Sequence, residues 1–379
     1  MKKDYYVGLD VHKETIAIAV TFSGSRAEPA YHGECGGTNL ALERALRKLA
    51  AKLGVSHKTF QVCYEAGPTG FVLARRLLHL GIRCTVISPT QTERKPNDRV
   101  KTDRRDAIRL AKLLRNGDYT EVRVPPARDE SVRDVCRART DASDDLSRAK
   151  QRLGSFLLRN GFRYSGRARW TPAHLRYLRE LVLPDPAQNI VLEEYLLAID
   201  SGYERVERLA AKLKDLLTDW EWEPVVRALM ACRGFQEVAA MTVVSELGDL
   251  RRFEHPRKLM AYLGLVPGEH SSGSKRSQGS ITKCGNAHAR WMIVECSQHY
   301  RKAPKVGAPL TRRQEGQPSQ VKALSWRMQQ RLHKRYVKLK MRGKRESKAI
   351  IAIARELCGF LWELQNKLSL PMPDAPSVR

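Results

Sequence analysis

Residues 5–22, YYVGLDVHKETIAIAVTF, decide the fold of the N-terminal part of the chain. YYVGLD at 5–10 reads as a buried strand, TIAIAVTF at 15–22 as a second, and VHKE between them as a short turn. Working outward, a third strand is expected near Ala30–Gly33. Leu40, Leu42, Ala45, Leu46, Leu49 and Leu53 recur at helical spacing, which predicts a helix over 40–53 with one broad apolar face. FQVCYE at 60–65 reads as a strand, 71–80 as a helix and CTVISP at 84–89 as a strand. A helix over 103–115 would turn Ala107, Leu110, Ala111 and Leu114 inward and end at Asn116-Gly117. Opening strands followed by alternating helices and strands predict an α/β domain.

Pro125-Pro126 forms a natural boundary. Beyond it, 129–160 and 187–220 are long, charged and helical, with spaced Leu, Val and Ala, and together suggest a helical hairpin or coiled coil. The segment between them, GFRYSGRARWTPAH, is basic and aromatic. Three short helices are expected at 225–231, 238–247 and 256–263, followed by a polar Gly/Ser stretch at 268–280 and a helix over 286–300. Residues 301–348 carry sixteen Lys or Arg against only Glu315 and Glu346, and an apolar helix over 349–364 precedes a Pro-rich tail. A chain of 379 residues exceeds what one core usually holds. The expected division is an α/β domain at 1–124, a helical hairpin at 125–222 and a mainly helical domain with a basic extension at 223–379.

Lys and Arg total 68 against 41 Asp and Glu, a formal charge of +27. Such a field attracts polyanions, and nucleic acid is a better fit than an anionic membrane surface. No apolar run approaches the roughly 20 residues of a spanning helix, and the start lacks a signal-peptide core, so a cytoplasmic protein with no membrane partner is expected. The eight cysteines are scattered without a CxxC pair, so they read as ordinary reduced thiols.

Four carboxylates stand out. Asp10 and Glu65 end strands, while Asp103 and Asp106 lie three apart on one helical face. Strand ends and a helix start can converge on one pocket, where clustered carboxylates repel unless hard cations neutralise them. Mg²⁺ suits oxygen ligands and supports phosphoryl transfer. Taken singly, each acid has an ordinary reading as turn former or helix cap, Asp103 as the N-cap of its own helix included.

GLDVHKE around Asp10, YEAGPTG around Glu65 and KTDRRDA around Asp103 and Asp106 resemble the RuvC-like half of the insertion-sequence family called IS one-ten. Its members are DEDD transposases, understood as RNA-guided recombinases. The resemblance implies an RNase H-like fold with Asp10, Glu65, Asp103 and Asp106 as Mg²⁺ ligands.

The second signal is GLVPGEHSSGSKRSQGSITKCGNAHARW at 264–291. Glycines let a backbone approach phosphate, Lys275, Arg276, Lys283 and Arg290 can stabilise its charge, and a serine hydroxyl can attack phosphorus. On composition alone, a flexible basic loop that only binds phosphate is the better fit. GLxPxxxxSG followed by GxITKxGN resembles the signature of the same family's C-terminal transposase domain. Alignment on Gly264, Pro267 and the Ser-Gly pair implies Ser272 as nucleophile, with Ser271 adjacent and Ser274, Ser277 and Ser280 as further serines. The resemblance also implies a bridge RNA that pairs with donor and target DNA. It further implies a site assembled across protomers, with dimers pairing into a tetramer.

Three lesser features have two readings each. LMACRGFQEVAAMTVVSELG at 229–248 resembles a helix-hairpin-helix binder of DNA backbone, but Gln236 stands where a second turn glycine is usual. Trp170, beside Arg167 and Arg169, can stack on unpaired bases or anchor a core. His12 can sit near the carboxylates or simply be exposed or hydrogen-bonded. Two other functions stay open on the residues alone: a hydrolytic junction resolvase or nuclease using only the carboxylates, and a nucleic-acid-binding protein without catalysis.

Overall fold

A computed structural model describes residues 4–89, 102–269, 278–368 and 370. The chain divides into two compact units that meet between Pro125 and Pro126. In the first unit, β1 (Tyr5–Val11), β2 (Thr15–Phe22), β3 (Ala30–Gly36), β4 (Phe60–Glu65) and β5 (Arg83–Ile87) form one sheet in the order β3-β2-β1-β4-β5. β1 and β2 are antiparallel, as are β2 and β3, whereas β1–β4 and β4–β5 are parallel. The VHKE turn is closed by the His12 N–H, which donates to the Thr15 carbonyl at 2.9 Å.

Helix α1 (Asn39–Leu53) starts at Thr38, whose hydroxyl accepts from the Ala41 N–H, and stops at left-handed Gly54. Its buried stripe is Leu42, Leu46, Leu49 and Ala50. Leu40, expected on that stripe, is exposed, because two residues of helix rotation put it nearly opposite Leu42. α1 and α2 (Val72–His79) cover the sheet face that carries Val7, Leu9, Ile16, Ile18, Val62 and Tyr64. α3 (Asp103–Asn116) covers the other face, and its inward residues are Ala107, Leu110, Ala111 and Leu114, as its spacing predicts.

Contact between α3 and the sheet is unusually close. Ala107 and Ala111 meet Ala17 and Ala19, all four small and buried. At Gly8 a Cβ would lie 2.3 Å from both the Ala107 carbonyl oxygen and the Ala111 nitrogen. Only glycine lets β1 and the α3 backbone touch there. The Cys63 thiol adds a contact to the Leu110 carbonyl at 3.3 Å. Alternation along a strand puts Asp10 on the same face as Gly8, and Glu65 on the same face as Cys63.

The second unit is helical. α4 (Ala127–Arg159) and α6 (Pro186–Thr218) each run 33 residues, about 50 Å at the usual rise. They are antiparallel: Asn160 pairs with Gln188, Asp145 with Arg205, and Asp129 with Trp220. The short α5 (Pro172–Glu180) between them starts at the end of the basic and aromatic segment and was not expected from the sequence. At the base of the hairpin, buried Asp129 accepts from the indole N–H groups of Trp220 and Trp222 at 2.9 and 3.2 Å.

α7 (Glu223–Met230), α8 (Glu237–Leu247) and α9 (Pro256–Tyr262) follow where three short helices are predicted. β6 (Pro267–Glu269) and β7 (Gln278–Ile281) pair antiparallel, and α10 (Ala287–Ser297) and α11 (Ala308–Gln314) come next. The basic stretch holds α12 (Ser319–Met341), which packs through Val321, Leu324, Met328 and Leu332 in one core with α13 (Glu346–Lys367). All eight cysteines are free thiols. Among the described residues no helix is long and apolar enough to cross a membrane.

Candidate active site

The parallel register of β1 and β4 ends at Leu9–Tyr64, which puts Asp10 and Glu65 one step further along neighbouring strands. α3 begins nearby. Its N-cap is Thr102, whose hydroxyl accepts from the Arg105 N–H, so capping is not the role of Asp103. Asp103 and Asp106 instead occupy the first turn, where the helix dipole also favours negative charge.

Two nitrogen-bearing side chains, His12 and Arg109, link the acids in pairs. His12 Nε2 lies 3.2 Å from Asp10 Oδ2 and 3.5 Å from Asp103 Oδ1. Arg109 reaches Glu65 Oε1 at 3.0 Å and Asp106 Oδ1 at 3.4 Å. Ligand atoms of Asp10, His12 and Asp103 all fall within 4.8 Å of one another. Burial holds the Asp10 carboxyl above the usual range, His12 opposes this, and the negative charges of Asp106 and Asp103 add to it. The structure therefore joins Asp10 with Asp103 through His12 and Glu65 with Asp106 through Arg109, and Asp106 lies near enough to Asp10 to act on its charge. Neither of these two was singled out as a site residue from sequence. Arg109 follows Asp106 by three on one helical face, and His12 follows Asp10 by two along an extended segment, so both carried a legible signal.

The donor set fits a divalent cation. Carboxylate oxygens dominate it, the His12 imidazole adds a nitrogen, and Arg109 pairs with only two of the four acids, Glu65 and Asp106. Asp10 and Asp103 would hold an ion with His12 beside it, and Asp106 and Glu65 lie across Arg109.

The serine segment is placed only in part. Residues 270–277, which join β6 to β7, lie outside the described residues, and with them Ser271, Ser272, Ser274, Lys275, Arg276 and Ser277. Ser280 is exposed on β7. The base of this hairpin is tightly built. A Cβ on Gly264 would lie 2.4 Å from the Cys284 carbonyl oxygen, and one on Gly285 would lie 1.8 Å from that of Tyr262. Lys283 is exposed and takes a left-handed φ of 57°. Arg290 donates to the Leu263 and Cys284 carbonyls at 3.0 and 2.9 Å, which braces the hairpin base. Asn286 caps α10 and donates to Glu246 Oε2 at 2.7 Å. The fully buried Glu246 side chain is also gripped by Arg137 at 2.7 and 3.0 Å.

The turn between α7 and α8 is engaged by its own chain. Gly234 has φ of 92°, and its Cβ position is closed by the Cys296 carbonyl at 2.5 Å. Ser325 and Gln314 donate to the Ala231 carbonyl, Tyr300 to that of Arg233, and Arg313 to that of Phe235. These contacts favour the structural reading of the helix pair. In the basic stretch, Arg327 pairs with Glu363, and Arg331 and Arg335 pair with Glu356. Lys322, Lys334, Lys338 and Lys340 are exposed.

Similarity to known proteins gives the class of this chain, a DNA-transposing enzyme. A transposase model of the DEDD type matches 7–160, which spans the four acids. The model described as Transposase IS116/IS110/IS902 family matches 226–308, which spans the serine segment. A Sinorhizobium fredii protein named as a transposase (y4qE) is 42% identical over 365 residues, 96% of this chain and 89% of that protein. The transposase for insertion sequence element IS1533 of Leptospira borgpetersenii is 30% identical over 353 residues, 91% of this chain and 99% of that protein. The chain belongs to the IS116/IS110/IS902 family of insertion-sequence transposases.

Proposed function

We propose that this transposase cuts and rejoins DNA through a phosphoserine at Ser272, with Mg²⁺ held by Asp10, Glu65, Asp103 and Asp106, and with a structured RNA as guide. The observation that carries the reading is the convergence of Asp10, Asp103 and His12 within 4.8 Å, with Asp106 and Glu65 joined through Arg109. The strand order β3-β2-β1-β4-β5, three antiparallel strands followed by two parallel ones, supports an RNase H-like domain at 1–124. The hairpin would be a second domain at 125–222, and 223–379 a third.

Mg²⁺, when bound, supplies positive charge against the developing charge on the scissile phosphate. The chain's own groups do the rest. The Ser272 oxygen forms a bond to phosphorus, and the bond from phosphorus to the leaving deoxyribose oxygen breaks. That oxygen gains the proton the serine loses. Rejoining runs the same exchange in reverse with a hydroxyl of another strand, so no net hydrolysis occurs. Lys275, Arg276 and Lys283 meet phosphate charge, and Arg290 holds the hairpin base. Base pairing by the RNA selects donor and target in nucleoid DNA, while the protein reads backbone and shape. The exposed Leu158, Val182, Ile190 and Leu197 around the hairpin tip support assembly into dimers and tetramers.

The test is a covalent adduct. Protein incubated with cognate DNA and RNA is expected to give a denaturation-resistant protein–DNA band that maps to Ser272. Ser272→Ala should still bind both nucleic acids yet form neither adduct nor recombinant. Cleaved DNA with free ends and no adduct under any condition would instead mark a hydrolytic nuclease. An adduct that persists in Ser272→Ala would move the nucleophile, first to Ser271.

A further inference from the structure

A cavity of about 860 Å³ opens beside the tip of the helical hairpin, lined by the C-terminal half of α4, the following loop and α5. That size lies within the roughly 300–1,000 Å³ of ordinary ligand sites. The proposed reaction uses none of its side chains. Tyr164, Trp170, His174 and Tyr177 give it aromatic walls, and Lys150, Arg163 and Arg169 give it positive charge; among the described residues no carboxylate lines it.

Its geometry is fixed by local contacts. The Tyr164 ring lies 4.6 Å from His174 and 5.1 Å from Tyr177, and Trp170 stands edge-on to His174 at 5.1 Å. Trp170 takes a left-handed φ of 62°, an uncommon state for a bulky residue. It is held there by its own N–H, which donates to His174 Nδ1 at 3.0 Å. An acceptor Nδ1 requires a neutral imidazole, so His174 contributes a flat ring rather than a charge. Lys150 Nζ sits 5.3 Å from the Trp170 ring centre and 4.2 Å from that of Tyr203. A tryptophan serving only to fill a core would be closed off, whereas Trp170 is half-buried and lines the opening. Backbone strain that the surroundings actively hold tends to mark functional sites.

We infer that this cavity binds an unpaired nucleotide, its base among Trp170, Tyr164 and Tyr177 and its phosphate beside Lys150 and Arg169. Aromatic walls need the free face of a base, which a duplex keeps stacked. Cations with no acid among them need an anion next to that base. A neutral apolar ligand would bring no anion to Arg169 or to Lys150, whose charge lies against the Trp170 and Tyr203 rings. The inference rests on the reading of this chain as an enzyme of nucleic acids, and the source of the nucleotide can be an RNA loop or a displaced DNA strand.

Photocrosslinking of the full-length protein tests it. The probes are single-stranded oligonucleotides with one 5-iodouracil at successive positions, in ribo and deoxy form, beside a paired duplex control. Crosslinks are expected at Trp170, Tyr164 or Tyr177, and the stronger of the two strands names the source. Trp170→Ala should weaken single-strand binding about tenfold and leave duplex binding unchanged. Because Trp170 also packs locally, the double variant Lys150→Gln, Arg169→Gln provides an independent arm with the same expected pattern. Crosslinks confined to residues outside 147–178, or equal losses on duplex and single strand, overturn the assignment. A protein that recombines DNA yet gives that result loses this site alone, whereas a protein that captures no nucleic acid loses the proposed reaction as well.

Discussion

Asp10 shows at the scale of one residue how the candidate site trades stability for charge. Burial and the carboxylates of Asp106 and Asp103 hold its carboxyl above the usual range against the pull of His12. The ionised form is therefore disfavoured in the folded, metal-free protein. Asp10→Asn removes that charge and keeps an oxygen for His12 at 3.2 Å. In EDTA at neutral pH it is expected to raise Tm by roughly 1–4 °C, while abolishing recombination and any metal-induced gain in Tm. A lower Tm than wild type in EDTA would contradict the charge argument. His174 makes the opposite pH statement at the hairpin tip. Burial and then the Arg169 charge hold its imidazole below the usual value near 6.5. A depressed value contributes stability above the unfolded pKa that is lost as pH falls through the folded one. Protection factors for hydrogen exchange in 162–180, corrected for the intrinsic pH dependence, should therefore fall more from pH 7.5 to pH 5 than those in α13. Equal protection of the two segments over that range would show that His174 does not anchor the tip. The acids were legible in the sequence because their types and spacing are unusual together. Arg109 and His12 carried the spacing that points toward the acids, but the acid pairs they bridge form only when β1, β4 and α3 meet.

Element-level reading succeeded where one face of an element is apolar and failed where polar residues interrupt that face. α3 is the clear success, since its four inward residues follow from spacing alone. α12 went unread because its buried stripe includes Ser325 and Gln329, which break the apolar pattern inside a basic stretch. Ser325 donates to the Ala231 carbonyl, and the Gln329 oxygen accepts from Arg233 and from the Lys305 N–H, while the buried Gln329 Nε2 finds no hydrogen-bond partner among the described residues. α5 is nine residues long and was masked by its charged setting, although Thr171-Pro172 is a helix start signal. How tightly α3 lies on β1 could not be read, since a glycine in a strand does not name what approaches it. Gly8→Ala tests that contact. The added carbon meets backbone atoms at 2.3 Å, so α3 has to shift and carry Asp103 and Asp106 away from Asp10. The expected outcome is a loss of about 1–3 kcal/mol in denaturant unfolding. Recombination should fall about a hundredfold, as a displacement near 1 Å at a reacting site commonly costs. Wild-type activity in Gly8→Ala would mean that the acids need not be held to that precision.

For the whole molecule, the charge of +27 matters through where its cations are free. Many arginines are occupied within the chain: Arg137 with Glu246, Arg290 with two carbonyls, and Arg331 and Arg335 with Glu356. Exposed cations of both kinds remain, and the flexible lysines among them, such as Lys322, Lys334, Lys338 and Lys340, suit phosphate rather than base edges. Phosphate contacts hold a strand in place but carry no sequence choice. An insertion-sequence enzyme must still choose donor and target, and base pairing by a bound RNA would supply that choice. Two outcomes follow. Purified protein should carry a structured RNA whose affinity falls steeply with salt, with a log–log slope of about −0.7 per single-strand phosphate neutralised. Protein stripped of that RNA should keep salt-sensitive, sequence-independent DNA binding yet yield no recombinant until the RNA is restored. Guide loops changed to pair with a different target should then redirect the product to that target, because the protein surface has not changed. Stripped protein that recombines cognate DNA at the full rate would place sequence recognition in the polypeptide itself, and the first segment to search would be the one outside the described residues between β6 and β7.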